Sequence, residues 1–473
     1  MKKEVKNIIN MNTYDVIIIG AGPAGVFCAI SLKEKNKDLK IAIFEKGKPL
    51  TKLVQSGGGR CNLSNKKANF KDCLPYYPRG SRFISHLFYQ YDVESFCRWL
   101  CENKIETKIE KEDKIFLKSD DSKQLESLFL QKLDYFNIEI IKAEFCDFYI
   151  SSDESCDISI ENNAKDELKN EKYFKVLFKE KKLKDIEAQD KERQIYFSKF
   201  LVIASGSNKA VLDIIKNKGI DIIEFAPSLY GFKINEIAES NLAGVSVNDV
   251  SGYLEFPENI EDKNSDKFKE CKKVETKKEK AIKVKQDLLF THEGLSGPLI
   301  LKLSSYNAFE LSKNDFKAIL HLDFISDKNF EEVEKILSEI CHKGAKIIKN
   351  ICSELNIPMN LWKFFLFKSD ISYEKMANQI TKEETKRLVQ LLKNFKIKID
   401  GKSNNKDEFV SAGGVDLSKL DKNCMSKKIS NLYFIGEILN IDGITGGYNL
   451  QSCWTTAYVC ADSIAKLSCQ NQK

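Results

Sequence analysis

The sequence predicts an α/β chain in which a Rossmann-like, parallel-sheet domain is split by an inserted β-barrel-like domain and a small helical domain. Three observations carry this expectation. A buried-strand pattern, Asp15-Val16-Ile17-Ile18-Ile19, runs into Gly20-Ala21-Gly22-Pro23-Ala24-Gly25, and Glu45 stands twenty positions after the last of these glycines. Strand and glycine signals return late in the chain, at Ser411-Ala412-Gly413-Gly414-Val415 and from Asn431 to Gly443. Between the two, short alternating runs give way to helical spacing.

The first strand feeds a turn whose glycines have separate duties. Gly20 permits the tight turn, Gly22 leaves room for a pyrophosphate against the backbone, and Gly25 lets the next helix pack close to the sheet. That helix, opening at Pro23-Ala24, offers unpaired N–H groups and a positive dipole end to phosphate. Lys40 to Glu45 reads as the second strand. Glu45 at its end can accept hydrogen bonds from a ribose diol, and its charge repels a 2′-phosphate. Strand, turn, helix, strand and acid in this order mark a dinucleotide site.

Residues 80–135 read mostly as helices, from the series Phe83, Leu87, Tyr91, Phe96, Leu100 and then Leu125, Leu128, Phe129, Leu133. Ile138 to Ile141 is a further strand. From 151 to 196 the composition shifts to Lys, Glu, Asp and Asn, an exposed extension in which Tyr173 to Phe178 alternates like a hairpin strand. Phe200 to Ile203 is another buried strand, ending in the small-residue turn Ala204-Ser205-Gly206. Residues 208–328 are expected to be antiparallel β, interrupted by a lysine-rich loop at 258–286. From 329 to 396 Phe330, Val333, Ile336, Leu337 and Ile340 recur at helical spacing. The last strand is Asn431 to Ile435. The last helix starts near Asn449 with Leu450, Trp454, Ala457, Ala461 and Ile464 on one face. The expected boundaries are 1–207 for the first part of the nucleotide-binding domain, 208–328 for the β domain, 329–400 for the helical domain and 401–473 for the return.

Two more glycine-rich segments extend the site. Gln55 to Asn65 contains Gly57-Gly58-Gly59-Arg60-Cys61-Asn62, a loop whose backbone can lie against a flat ligand or a phosphate that Arg60 can reach. Phe434-Ile435-Gly436-Glu437 ends the last strand in a glycine and an acid suited to a polyol. Gly446-Gly447-Tyr448-Asn449-Leu450 then opens the final helix, whose dipole can stabilise negative charge on a reduced ring. Separate sites for an ADP half and a ring system favour FAD over NAD.

Composition narrows the function classes. A net charge of +6 with 30% charged residues, mostly lysine spread along the chain, is not a nucleic-acid footprint. No run reaches the roughly 18 apolar residues of a membrane span, and no secretory signal is visible. The 14 cysteines form no C-x-x-C pair, so mostly buried free thiols and a cytoplasmic setting are expected. Cys97 and Cys101, four apart, are expected to pack in the core, with no metal site.

At these residues the chain resembles a family of bacterial FAD-dependent oxidoreductases with an inserted β domain and helical domain, often labelled "NAD(P)/FAD-dependent oxidoreductase" or "aminoacetone oxidase family FAD-binding enzyme". The resemblance rests on the first glycine turn, Ser56 to Asn65, Leu289 to Pro298, Ala412 to Val415 and Leu432 to Gln451, and with their spacing covers nearly the whole chain. It implies that FAD is surrounded by Gly20, Gly22, Pro23, Ala24, Gly25, Glu45, Lys46, Gly58, Gly59, Arg60, Cys61, Asn62, Ala204, Gly206, Gly436, Glu437, Gly446, Gly447, Tyr448, Asn449 and Leu450. It also implies hydride exchange between flavin and a small organic substrate, with NAD(P)H a candidate, transient electron donor. Against the family pattern, the loop after Gly206 is short, Leu117 replaces a common proline and Asn440 an aspartate.

Within the insert, Thr291-His292-Glu293-Gly294-Leu295-Ser296-Gly297-Pro298 is the densest polar cluster. Two readings stand for His292, one of four histidines. It moves a proton to a substrate held where the inserts meet the flavin, or it supports a turn with Thr291 and Ser296, the more frequent role for such a residue. His86, His321 and His342 lie in ordinary periodic segments and read as structural. Two competing functions are weaker. A disulfide reductase needs a partner for Cys61, and position 66 is Lys66. A flavin-containing RNA-modifying or RNA-binding protein fits the glycine loops but lacks clustered arginine. The expected partner is a small-molecule substrate, without nucleic acid or membrane.

Overall fold

A computed structural model describes residues 13–151, 173–180, 193–256, 281–342, 346–403 and 410–470. Most of the lysine-rich 258–286 stretch and of the charged 151–196 extension lies outside the described residues. The chain divides into two compact units, Met1–Phe225 with Val410–Lys473, and Ala226–Phe409.

The first unit begins with β1 (Thr13–Ile19), α1 (Pro23–Lys35), β2 (Ile41–Glu45), α2 (Thr51–Gln55), β3 (Asn62–Asn65), α3 (Ser81–Phe88), α4 (Val93–Glu102), β4 (Thr107–Ile109), β5 (Lys114–Leu117) and α5 (Ser122–Tyr135). It continues through β6 (Glu139–Ile150), β7 (Phe174–Glu180), β8 (Arg193–Ile203), α6 (Lys209–Asn217) and β9 (Ile222–Ser228). The second unit holds β10 (Phe232–Lys233), α7 (Asn235–Ala238), β11 (Ser246–Glu255), β12 (Val284–Phe290), β13 (Gly294–Ser296), α8 (Pro298–Tyr306), α9 (Ala308–Lys313) and β14 (Ala318–Asp323). Then come α10 (Phe330–His342), α11 (Met359–Lys368), α12 (Lys382–Lys393), β15 (Phe395–Ile399) and β16 (Gly401–Lys402). The chain returns to the first unit with β17 (Val410–Val415), β18 (Leu432–Phe434) and α13 (Tyr448–Gln470).

The first unit is built on parallel pairings in the order β6-β2-β1-β8-β18, with β7 antiparallel to both β6 and β8. β1 reads as a continuous apolar run because it is central in this sheet; Val16, Ile17 and Ile18 are fully buried. Helix α1 shows little amphipathic contrast for the same reason: all residues from Pro23 to Leu32 are buried. Its Phe27 meets Trp454 of α13 edge-on at 5.6 Å.

Three sequence expectations change here. Residues 80–135 are not all helical: β4 and β5 form a hairpin, with Glu112 and Asp113 at positive φ in its tip, and β3 joins it as a third strand. Local turn chemistry overrode the helical reading there. Residues 208–328 contain the helices α6, α7, α8 and α9 as well as strands. Cys97 is only half-buried and Cys101 is exposed, because the buried face of α4 is set by Val93, Phe96, Trp99 and Leu100.

In the second unit the strands pair antiparallel in the order β15-β14-β11-β12-β13-β10-β16. The two edge strands are consecutive in sequence. Ile399 ends one and Gly401 starts the other, with the Asp400 amide donating to Lys233 O at 2.9 Å, so the sheet closes on itself as a barrel. β15 alternates strictly, with Phe395, Ile397 and Ile399 inside and Lys396 and Lys398 outside. One hydrophobic cluster runs from Tyr230 through Trp362 to Ile399, so α10, α11 and α12 share their interior with the barrel. Among the described residues no helix is long and apolar enough to cross a membrane.

Candidate functional site

The register of the parallel sheet sets the site. Ile19 lies opposite both Phe44 and Ile203, and Ile203 lies opposite Phe434. The strands therefore end level, and Gly20, Glu45, Ala204 and Gly436 open along one carboxyl edge, where open α/β sheets bind ligands.

The glycines of the first turn differ in what surrounds them. Gly20 has φ +106°, and a Cβ there would sit 2.5 Å from Ala204 O. A Cβ on Gly25 would sit 2.0 Å from Gly20 O and 3.3 Å from the Ala204 Cβ. A Cβ on Gly22 would meet nothing within 4 Å. Gly20 and Gly25 are thus packing glycines, while Gly22 keeps open backbone at the start of α1. No side chain caps that helix, and its first residue is Pro23, which has no N–H. The Glu45 carboxylate reaches back to this turn, accepting from Ala21 N at 2.8 Å and Gly47 N at 2.7 Å. Each oxygen keeps a lone pair for a diol. Lys46 beside it is exposed.

The second glycine block and the last one meet. Gly57, Gly58 and Gly59 all have positive φ, and a Cβ on Gly58 or Gly59 would face open space. The β3 strand that follows lies against the start of α13. The Trp454 indole donates to Leu63 O at 3.1 Å, Ser64 Oγ to Gln451 Oε1 at 2.7 Å, and Asn65 Nδ2 to Gly446 O at 3.2 Å. A Cβ on Gly447 would fall 2.4 Å from Ser64 O and 2.8 Å from Asn62 Oδ1. Asn449 holds the turn before α13, accepting from Gly443 N and donating to Gly443 O, both at 2.8 Å. Tyr76 stacks on the buried Tyr448 at 4.9 Å.

At the end of β18, Glu437 accepts from Lys52 Nζ at 2.8 Å and from Ser411 N at 3.1 Å, close to Gly206. A Cβ on Gly436 would lie 2.8 Å from the Ala24 Cβ, which brings this strand end onto the start of α1. The buried Asp442 carboxylate is paired with Arg79. Among the buried side-chain atoms of the described residues that lack a hydrogen-bond partner are Ser205 Oγ and Asn440 Oδ1. Buried polar atoms are normally paired. These two lie on the segments next to Gly206 and Glu437, where a cofactor bearing hydroxyls and ring carbonyls would pair them. Open backbone at Gly22, Gly58 and Gly59, a diol acceptor at Glu45 and the orphaned polar atoms of Ser205 and Asn440 fit FAD.

Some residues sit differently from the sequence reading. Arg60 is engaged by carboxylates: it pairs with Glu110, donates to Asp120 at 2.6 Å and covers the Phe116 ring at 4.4 Å. Its guanidinium thus ties the glycine loop to these two carboxylates. Burial pushes the Cys61 thiol up to about 11, so Arg60 does not activate it. His292 is exposed and makes no hydrogen bond among the described residues. Its turn is held instead by the Thr291 and Gly294 backbones and by Glu293, which accepts from Ser403 Oγ at 2.5 Å. Among the described residues no cluster of His, Cys, Asp and Glu could hold a metal. Sequence reasoning missed Lys52, Ser411, Gln451 and Trp454; only the polar Gln451 and the indole N–H inside an apolar helix face hinted at internal partners.

Two family models match the chain, the HI0933-like protein Rossmann domain over residues 14–173 and the HI0933-like protein barrel and H2TH domain over 226–410. The ribosomal RNA dihydrouridine synthase of Haemophilus influenzae is 26% identical over 454 residues, covering 95% of this chain and 98% of that protein. The ribosomal RNA dihydrouridine synthase of Escherichia coli is 25% identical over 467 residues, covering 96% and 98%. The 3-dehydro-bile acid delta(4,6)-reductase of Clostridium scindens is 21% identical over 471 residues, covering 95% and 98%. Both halves of the architecture thus have their match in one place, and the chain belongs to the HI0933-like family of FAD-dependent oxidoreductases.

Proposed function

We propose that this enzyme reduces a carbon–carbon double bond conjugated to a carbonyl, and that its substrate is a uracil base in ribosomal RNA. The observation that carries the reading is the match to two ribosomal RNA dihydrouridine synthases over at least 95% of this chain and 98% of each relative. The bile-acid reductase supports the reaction type, since a 4,6-dienone and a uracil each present an alkene in conjugation with C=O. The reading sets aside the expectation, drawn from scattered lysines, of a small free substrate.

FAD, when bound and reduced, would supply the two-electron chemistry, a hydride for the β-carbon matched by a proton at the α-carbon, one flavin oxidised for each bond saturated. The protein's own residues do the rest. The open Gly22 backbone and the start of α1 would hold the pyrophosphate, and Glu45 would take the ribose diol. Glu437, held by Lys52, would receive polyol hydroxyls. The start of α13, fixed by Asn449 and by Ser64 with Gln451, would offer its N–H groups to the ring. His292 is kept as a candidate proton donor; His292→Asn with unchanged reoxidation by substrate across pH removes it.

The test is anaerobic. Holoprotein reduced by NADH or NADPH is mixed with unmodified ribosomal RNA transcript, and the digested nucleosides are weighed. Dihydrouridine, heavier than uridine by two hydrogens, is the expected product. If RNA uridines stay intact while a small enone is reduced, the substrate is a free molecule and the RNA reading is wrong.

A further inference from the structure

Helix α11 carries two stripes. Leu361, Trp362, Phe365 and Leu366 are buried against the barrel unit's core. On the other side Asn360 and Phe367, seven positions apart, are exposed, while Lys363 and Phe364 are half-buried and Phe364 packs against the core beside Phe395; a surface helix normally keeps its outer face polar. Phe367 is 67% exposed, and Tyr373, just beyond the helix, is 40% exposed. These rings border a cavity of about 570 Å³ between α11 and the segment from α7 to Leu242. That volume lies within the usual range of small-ligand sites, about 300–1,000 Å³.

The chemistry of the walls is specific. Asn241 and Asn360 offer amide donors and acceptors beside the three rings. The charges cancel: Lys363 and Lys368 face Glu236 and Glu239, and Lys368 pairs with Glu236 at 2.5 Å. A wall without net charge does not collect phosphates. Aromatic faces next to amides suit a flat, neutral heterocycle with hydrogen-bonding edges. We infer that this cavity of the barrel unit binds an unpaired nucleobase of the RNA substrate by stacking on Phe367. The inference rests on the RNA reading above. It also answers the charge objection, because recognition through bases needs no cluster of arginine.

The test uses holoenzyme and the variant Phe367→Ala, with Phe367→Ala/Tyr373→Ala as a second. Both positions are exposed, so FAD content and melting temperature serve as folding controls. Fluorescent single-stranded polyuridylate and an RNA duplex are titrated by anisotropy at several salt concentrations. Loss of the ring should weaken single-strand binding roughly ten-fold. The slope of log affinity against log salt should stay unchanged, since no phosphate contact is removed. Duplex binding and reduction of a small enone should not change. Equal single-strand affinity in variant and wild type, or a changed salt slope, overturns the inference, as does wild type that binds no single-stranded RNA or is instead titrated by peptide at this cavity. Phe367-dependent binding with RNA uridines left unreduced would keep the docking site and sink the substrate reading. Reduction of RNA by Phe367→Ala with unchanged KM would do the reverse.

Discussion

The two glycine clusters of the cofactor unit look alike in sequence and differ in three dimensions. In the first, Gly20 and Gly25 are glycines because backbone presses on them, and only Gly22 is open. In the second, a Cβ on Gly58 or Gly59 would meet nothing, only Gly57 is close to backbone, at Asn62 N, and the loop keeps its shape through positive φ at three successive residues and through Arg60, which ties it to Glu110 and Asp120. One cluster is held by close packing and the other by an ionic anchor. A glycine motif therefore says where a backbone is unusual; the surroundings say whether the reason is folding or binding.

The largest effect that would break this contrast is at Gly25. With the Gly20 backbone oxygen only 2.0 Å from the new Cβ and the Ala204 Cβ at 3.3 Å, Gly25→Ala should destabilise by about 3 kcal/mol or more, at the top of the range for overpacking. Thermal denaturation checks it; a variant melting with wild type would remove the packing role. At Gly22, where nothing lies within 4 Å, Gly22→Val should fold normally and purify colourless. Flavin absorbance per protein, read beside circular dichroism, decides; a yellow Gly22→Val protein would show that the pyrophosphate does not approach there. The smallest effect concerns the second loop. Arg60 holds the Glu110 carboxyl below its ordinary range, and Lys108 and then Arg60 do the same for Asp120. Groups held down in the folded state stabilise at neutral pH and lose that contribution as pH falls through the carboxylate range, near 4. Protection of the amides at residues 56–61, taken as exchange relative to the intrinsic rate at each pH, should therefore fall below about pH 4, and Arg60→Gln should show the lower protection already at pH 7. Protection that does not change through the carboxylate range in wild type would mean the anchor does not hold the loop.

What the sequence made legible follows the same division. The duties of Gly20, Gly22 and Gly25 could be read because each depends on residues within one turn and one strand. The final helix was legible through Leu450, Trp454, Ala457 and Ala461, a periodic face. The carboxylate partners of Arg60 could not be read locally, because they sit just after β4 and on the turn after β5, fifty and sixty positions away. Cys101 was misjudged because four-residue spacing says that two side chains share a face, not that the face is inside. Lys52 with Glu437 and Arg79 with Asp442 join positions separated by 385 and 363 residues, and no local pattern marks such pairs.

Ser64 and Gln451 are hydrogen-bonded across 387 positions, with the whole barrel unit encoded between them. A chain leaving the ribosome completes that unit before it has made α13. Until then Leu63 O, Ser64 and Asn65 lack the partners that α13 and the turn before it supply, and the parallel sheet lacks β18. Cofactor capture is thus a late event in the life of each molecule, and a chain stopped short of α13 has no finished site in which to keep a flavin.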